Sequence, residues 1–175
     1  MTAARPARIT VVCSGNICRS PMAEVILRQL LAETGRGDVI VTSGGLGGWH
    51  VGDGADPRAV RMLRDHGYDG AAHRARQFRQ DWFADHDLVL AADRGHLRAL
   101  QAMARTEADL GKVRLLRSFD PRSAATGQDE VEDPYYGSRA DFEQCLLDVE
   151  AACRGVVAYV TGNGDTADRV EGSGG

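Results

Sequence analysis

Cysteine is scarce in this chain and basic charge is not in excess, and each of these absences excludes a class of protein. The 175 residues include only four cysteines, at positions 13, 18, 145 and 153, unlike the dense pattern of a secreted disulfide scaffold. We therefore expect free thiols and a reducing, cytoplasmic location. The formal net charge of −4 argues against nucleic acid or an acidic membrane surface as a partner.

Long apolar runs are also absent. No stretch approaches the roughly 20 apolar residues of a membrane-spanning helix, and residues 1–8 lack the apolar core of a signal peptide. No spacing of His and Cys matches a metal site. We expect one domain over residues 1–161, monomeric and without a metal or other cofactor, and a disordered glycine-rich tail over residues 162–175.

The chain does contain an alternation of strand and helix signals. Runs of β-branched and apolar residues predict four strands, at 8–13, 39–42, 88–91 and 113–116. Helical spacing predicts helices from residue 21 onward and over 57–66, 95–105 and 138–160, with a long loop at 118–137. This order predicts an α/β fold: a doubly wound, Rossmann-like, four-stranded parallel sheet with helices on both faces and ligands at the carboxyl ends of the strands.

The segment from Cys13 to Pro21 joins the first predicted strand to the first predicted helix. Unpaired N–H groups in such a loop, together with the positive end of the helix dipole, favour an anion. The planar guanidinium of Arg19 matches phosphate oxygens. Because these positive groups stabilise a thiolate, Cys13 is a candidate nucleophile at a phosphate site. The alternative is that Cys13 is a small core residue at the end of a buried strand.

Three residues of this segment suit the expected loop. Gly15 and Asn16 tolerate the positive φ angles that inward-pointing amides require. Ser20 can cap the following helix and donate its hydroxyl to the thiolate. Capping alone is the simpler role for Ser20.

Residues Cys13 to Pro21 resemble the signature of the low-molecular-weight protein tyrosine phosphatases, except at Ser14, where that family usually has Leu or Thr. Further segments follow in the family's order and at the family's distances, at 43–45, 48–52, 73–77 and 133–136. The first of these, Ser-Gly-Gly, departs from the usual Ser-Ala-Gly, and we expect no chemical consequence. The resemblance implies an enzyme that hydrolyses phosphotyrosine in proteins through a phosphocysteine intermediate.

The resemblance also assigns roles within the loop and to an acid outside it. It implies that Cys13 and Arg19 are catalytic, with Asp133 as the general acid that a thiolate nucleophile cannot replace. Composition alone gives Asp133 no advantage over the neighbouring acids Asp129, Glu130 and Glu132. The implied phosphate-binding residues, which would also hold inorganic phosphate or another oxyanion, are Ser14, Gly15, Asn16, Ile17, Cys18 and Arg19.

Residues outside the signature are implied to shape and support the site. Flat apolar walls suit an aryl ring, so Trp49, Tyr135 and Tyr136 are candidate pocket walls, although aromatic residues also anchor long loops. The implied supporting hydrogen-bond network comprises Asn16, Ser20, Ser43 and His73. His73 could equally be a surface histidine, as we expect for His66, His86 and His96.

Cys18 is a candidate redox partner of Cys13, and two other functions are alternatives to a phosphatase. The resemblance implies that Cys18 forms a reversible disulfide with Cys13, although Cys18 could simply be an apolar filler. Arsenate reductase shares the fold and the loop, but its disulfide relay needs cysteines near the third strand, and residues 80–95 contain none. A catalytically silent phosphotyrosine-binding module would normally lack Cys13 or Asp133.

Overall fold

A computed structural model describes residues 7–162, which form a four-stranded parallel sheet with helices on both faces. The strands are β1 (Arg8–Cys13), β2 (Ile40–Gly45), β3 (Leu88–Ala91) and β4 (Val113–Leu115). The helices are α1 (Arg19–Glu33), α2 (Pro57–Asp65), α3 (Trp82–Asp85), α4 (Arg94–Met103), α5 (Glu107–Lys112), α6 (Pro121–Thr126) and α7 (Arg139–Thr161), with a 3₁₀ helix at Leu116–Phe119. The predicted doubly wound α/β class is confirmed.

The strand order β2-β1-β3-β4 places the carboxyl end of β1 at a topological switch point. Strand β1 pairs with β2 on one side and with β3 on the other, so the connections leave β1 in opposite directions. This divergence opens a crevice beyond the strand ends, where ligands bind in open α/β sheets. Cys13, paired in register with Gly45, is the last residue of β1 and lies at this crevice.

Both faces of the sheet are buried, which explains why β1 is apolar at successive positions. Val11 packs into the larger core with α1 and α7, whereas Val12 packs on the other face with Phe78, Phe83 and Leu100. A parallel strand covered on both faces shows no alternation of polar and apolar residues. The sequence of β1 therefore indicated a buried parallel strand clearly.

Three short helices were not predicted, and each depends on local capping or tertiary contacts. The predicted loop at 118–137 is wrong over nearly its first half, which contains the end of the 3₁₀ helix and all of α6. Asp120 caps α6 by accepting a hydrogen bond from the Arg122 amide, and Pro121 occupies the first turn. Thr106 caps α5 in the same way. Helix α3 is a single turn, too short for a periodic signal.

His86 is buried rather than on the surface, so that prediction is wrong, whereas His66 is exposed as expected. His86 Nδ1 donates to the Trp82 carbonyl at 2.8 Å, and its Nε2 accepts from the Thr42 hydroxyl at 2.9 Å. Burial lowers the pKa of His86 below its ordinary value. A neutral histidine can be buried here because both of its ring nitrogens have a hydrogen-bond partner.

Helix α7 is capped at its C-terminus by Gly162, which adopts a left-handed φ of 81°. The predicted disordered tail otherwise lies outside the described residues, so it stays a prediction, as does the domain boundary at residue 161. No helix within residues 7–162 is both long and apolar enough to cross a membrane.

Gly155 tests how closely α7 packs on the 3₁₀ helix. A methyl group on Gly155 would overlap with the carbonyl oxygen of Phe119. Gly155→Ala should therefore lower the free energy of unfolding by about 1–3 kcal/mol, although Ala is the better helix former by about 1 kcal/mol. Urea unfolding measures the change.

Gly111→Ala in α5 is the matched control, because the added methyl would have no atom of residues 7–162 within 4 Å apart from its chain neighbours and its own helix backbone. We expect this variant to be unchanged or more stable. Equal stability of Gly155→Ala and the wild type would contradict the close packing of α7.

Candidate active site

Residues 13–19 form the turn between β1 and α1, with their amides free to bind an anion. The amide N–H groups of residues 14–19 donate no hydrogen bond to any acceptor in the described part of the chain. Helix α1 starts at Arg19, two residues earlier than predicted, and Cys18 is its N-cap residue. The role of Ser20 as a cap is therefore wrong. Consecutive unpaired amides at a helix N-terminus favour a bound oxyanion.

The loop bends at Asn16, which has a positive φ of 60°, as predicted. Gly15 does not have a positive φ, so that expectation is wrong. A side chain at Gly15 would be crowded for another reason: a Cβ would lie 3.0 Å from Cδ2 of His50, whose ring would have to shift. A Cβ on Gly45 would likewise lie 2.9 Å from the Ser14 carbonyl oxygen. Both glycines allow neighbouring segments to approach the loop closely.

The fully buried Asn16 side chain joins the loop to three neighbouring segments. Its Nδ2 donates to the hydroxyls of Ser20 at 2.8 Å and Ser43 at 2.9 Å. Its Oδ1 accepts from the Arg76 amide at 2.9 Å. The structure thus brings Ser20 and Ser43, two members of the predicted supporting network, together around Asn16.

His73 completes the support from below the loop and is buried rather than on the surface. Its Nε2 donates to the Asn16 carbonyl at 2.8 Å, and its Nδ1 lies 3.5 Å from a carboxylate oxygen of Glu24. Glu24, buried in α1, had no sequence signal beyond its helical position. This pair fixes the backbone of the residue at which the loop turns.

Cys13 lies at the floor of the site, with its Sγ 2.9 Å from the Ser20 hydroxyl. That hydroxyl oxygen accepts a hydrogen bond from Asn16, and its proton has the sulfur as its nearer acceptor, since the Gly44 carbonyl lies at 3.5 Å. A hydroxyl donor stabilises a thiolate more than a thiol. Cys13 is also largely buried, at 3% exposure, so access to its sulfur is through the cavity that it lines.

Arg19 is buried and held by three oxygen atoms. Its Nη1 donates to Oδ2 of Asp93 at 2.9 Å and to the Val131 carbonyl at 3.0 Å, and its Nη2 lies 3.6 Å from Oδ2 of Asp133. Burial disfavours the charge, but Cys13, Asp133 and Asp93 together raise the pKa of Arg19 above its ordinary value. The site therefore contains a permanent, oriented guanidinium.

Asp93 and His96 are functional candidates that the sequence analysis missed. His96 was expected on the surface, which is wrong, since it is 4% exposed and its Nε2 lies 2.8 Å from the Ser14 hydroxyl. Its amide donates to Oδ1 of Asp93 at 2.9 Å. A chain of contacts therefore runs from Ser14 through His96 and Asp93 to Arg19, joining the two ends of the loop.

Within this chain of contacts, burial and neighbouring groups determine the protonation of Asp93 and His96. Partial burial of Asp93 opposes ionisation, but hydrogen bonds from the His96 amide and from Arg19 prevail and hold its pKa below the ordinary value. Burial lowers the pKa of His96, an effect that Asp93 opposes and Arg19 reinforces. One signal for Asp93 was available: it lies two residues beyond β3, at the same sheet edge as Cys13.

Asp133 reaches the site from the loop before α7. Its Oδ1 accepts from the Tyr135 amide at 3.1 Å, which turns the other carboxylate oxygen toward Arg19. The side chain is about half exposed, at 49%. Asp133 and Cys13 line the same cavity.

That cavity has a volume of about 240 Å³, with polar residues at its floor and aromatic residues around its mouth. Trp49, Tyr135 and Tyr136 all border it, as predicted, together with His50. Tyr136 is 95% exposed and its ring contacts that of Tyr135 edge to face, with centroids 4.9 Å apart. The loop residues Ser14, Gly15, Ile17 and Cys18 also line it. A flat ring could enter between these walls with a tetrahedral group at the floor.

All four cysteines are free thiols in the structure. Burial, followed by the charge of Asp56, raises the pKa of Cys18 above its ordinary value. Burial likewise raises the pKa of Cys145 to about 12. No group of three or more His, Cys, Asp or Glu side chains in residues 7–162 is arranged to hold a metal ion.

Comparisons with known proteins agree with this geometry. The family model "Low molecular weight phosphotyrosine protein phosphatase" matches residues 8–165. A low molecular weight protein-tyrosine-phosphatase of Streptomyces coelicolor is 56% identical over 154 residues, which cover 87% of this chain and 93% of that protein. This chain belongs to the low molecular weight protein tyrosine phosphatase family. It is therefore a phosphatase.

Solved structures of related phosphatases have the same fold. A low molecular weight phosphotyrosine phosphatase of Vibrio cholerae O395 matches with a TM-score of 0.82 at 32% identity, over 91% of this chain and 99% of that one. Wzb of Vibrio vulnificus, solved in complex with benzylphosphonate, matches with a TM-score of 0.74 at 29% identity, over 86% and 96%. Membership of this phosphatase family does not favour the arsenate reductase alternative.

The contact between His96 and Ser14 leads to a prediction about phosphate affinity. His96→Leu should weaken binding of inorganic phosphate by roughly threefold to tenfold, because one hydrogen bond contributes about 1 kcal/mol. Competitive inhibition of 4-nitrophenyl phosphate hydrolysis by phosphate measures the affinity. His96→Gln, which can still reach the Ser14 hydroxyl, should recover most of it. Unchanged phosphate inhibition of His96→Leu would show that this contact does not shape the loop.

Proposed function

We propose that this phosphatase hydrolyses phosphotyrosine in proteins through a phosphocysteine intermediate and without a metal ion. The observation that carries the proposal is that Cys13, Arg19 and Asp133 meet in one cavity whose mouth is aromatic. Thiolate, guanidinium and carboxylic acid supply the nucleophile, the anion binder and the proton donor of this reaction. Cys13, at an anion-binding helix terminus, would be a poor ligand for a cation.

Binding in this proposal uses the whole loop. The unpaired amides of residues 14–19 and the guanidinium of Arg19 hold the phosphate dianion and follow its charge into the transition state. Asn16, Ser20, Ser43 and His73 keep the loop rigid through the hydrogen bonds described above. The tyrosyl ring lies between Trp49, Tyr135 and Tyr136.

The chemistry takes two steps. The Cys13 thiolate attacks phosphorus, the bond to the tyrosyl oxygen breaks, and protonated Asp133 gives its proton to that oxygen. Asp133, now a carboxylate, then takes a proton from a water molecule that attacks the phosphocysteine. Phosphate leaves, and Cys13 is again a thiolate. The enzyme thereby replaces one difficult displacement with two easier ones.

Cys18 has the proposed role of protecting the nucleophile. Its raised pKa keeps it a thiol, so a peroxide would oxidise the Cys13 thiolate first. The Cys18 sulfur then attacks the resulting sulfenic acid, water leaves, and a disulfide forms. A thiol reductant restores both cysteines.

Substitution of the nucleophile tests the first step. Cys13→Ser should abolish turnover of a phosphotyrosine peptide and retain binding of inorganic phosphate, because the amides and Arg19 remain in place. Turnover is measured by phosphate release and binding by titration calorimetry. Cys145→Ala, which removes another buried thiol, should remain active. Residual turnover by Cys13→Ser near that of the wild type would exclude the phosphocysteine route.

Substitution of the acid tests the proton transfer. Asp133→Ala should slow phosphotyrosine hydrolysis by about 10²–10⁴-fold, the usual contribution of a positioned acid. It should slow 4-nitrophenyl phosphate less, since nitrophenolate leaves readily without a proton. Steady-state kcat on both substrates measures the difference. Glu132→Ala, at the exposed neighbouring acid, should leave both rates near wild type, and equal losses in the two variants would refute the assignment.

A further inference from the structure

A second cavity, of about 290 Å³, lies beside the first, between α2 and the start of α7. Its apolar floor is formed by Met62 and Phe142, which are buried. Three arginines, Arg58, Arg61 and Arg139, and a single acid, Asp65, line its walls. We call it the arginine-lined cavity. Its positive walls contrast with a chain whose formal net charge is −4.

Arg58 and Tyr135 together separate this cavity from the one that contains Cys13. Arg58 Nη1 donates to the Tyr135 carbonyl at 2.9 Å. The guanidinium carbon lies 5.3 Å from the centroid of the Tyr135 ring and 4.6 Å from that of Phe142. Tyr135 borders the first cavity and Arg58 borders the second. The two cavities therefore share a wall only two side chains thick.

The three guanidinium groups differ in how well they are already paired. Arg58 is satisfied, since its Nε and Nη2 donate to Asp56 at 3.0 and 2.8 Å. Arg139 makes one 3.3 Å contact with Asp65, and both side chains are exposed, so this pair is weak. Arg61 forms no ion pair with any residue that the structure describes. The charge of Arg61 does act on Asp56, whose pKa is held below its ordinary value first by Arg58 and then by Arg61, but no carboxylate lies within ion-pair distance of Arg61 in residues 7–162. The Arg139–Asp65 pair is readily exchanged.

Two of these arginines lie at helix positions that are unfavourable for a cation. Arg58 is the second residue of α2 and Arg139 the first residue of α7, where the positive end of the helix dipole disfavours a cation. The nearby acids Asp56 and Asp141 are engaged in capping these helix starts. Because Asp56, Asp65 and Asp141 offset much of the charge of Arg58, Arg139 and the helix N-termini, the guanidinium of Arg61 is the main positive group that remains at the cavity.

We infer that the arginine-lined cavity binds a carboxylate side chain of the phosphotyrosine substrate, on the same peptide as the tyrosine in the first cavity. This inference rests on the proposed function. An extended peptide advances roughly 3.3 Å per residue, so an acidic residue a few positions from the tyrosine can reach across a wall two side chains thick. Arg61 is its main partner, and the site selects acidic peptides rather than contributing to the chemistry.

The test compares phosphotyrosine peptides that carry a single Glu at each position up to four residues on either side, with Gln peptides as references. The wild type should show a three- to tenfold higher kcat/KM for Glu at one or more of these positions, mainly through KM. Arg61→Gln should abolish this ratio. Arg61→Glu should reverse it, so that a Lys peptide becomes the better substrate.

Arg98→Gln is the matched control, because Arg98 is an exposed arginine on α4 that lines neither cavity. It should retain the preference for Glu. Hydrolysis of 4-nitrophenyl phosphate should be unchanged in all three variants, which separates this inference from the proposed function. Absence of a Glu preference in the wild type, or an unchanged preference in Arg61→Gln and Arg61→Glu, overturns the inference even if that hydrolysis is normal.

Discussion

The site depends on the conformation of one buried residue, Asn16. A left-handed backbone is costly for a residue with a side chain, so it persists only where its surroundings hold it. Here four hydrogen bonds do so: the side-chain amide donates to Ser20 and Ser43, its oxygen accepts from the Arg76 amide, and the Asn16 carbonyl accepts from His73. Three separate parts of the chain must therefore be folded before the amides of the loop can converge on an anion.

A second constraint is the buried charge of Arg19. A buried guanidinium must be paired, and leaving it without a partner costs several kcal/mol. Asp93 and the Val131 carbonyl meet this requirement through Nη1, while Nη2 remains directed toward Asp133 and the cavity. Two partners of Arg19, Asp93 and the Val131 carbonyl, thus lie outside the lining of the cavity, whereas the third, Asp133, is part of that lining. Orientation of the guanidinium is built into the fold before any ligand is bound.

The sequence predicted the site best where one short segment contains both the candidate nucleophile and the anion-binding residues. The loop from Cys13 to Arg19 lies between a continuous apolar strand and an amphipathic helix, so its place at a strand end could be derived. The role of His96 could not, because a histidine in the first turn of a helix is usually exposed and its burial depends on the partner Ser14. Glycine at position 15 was expected for a positive φ, which it does not have; a Cβ there would instead crowd the ring of His50, 35 positions away in the chain, at 3.0 Å.

The segment from Val131 to Arg139 unites the two cavities in one short length of chain. Val131 fixes Arg19, Asp133 lines the first cavity beside Arg19, Tyr135 forms the shared wall, and Arg139 borders the second cavity. It is held at its middle by Arg58, which in turn is fixed by Asp56. Arg58 contacts Tyr135 in the shared wall and also lines the second cavity. Any displacement of this arginine therefore moves the wall of the first cavity as well as a charge of the second. Arg61 has no such contact, so selection among substrates can change through Arg61 without disturbing the proton donor.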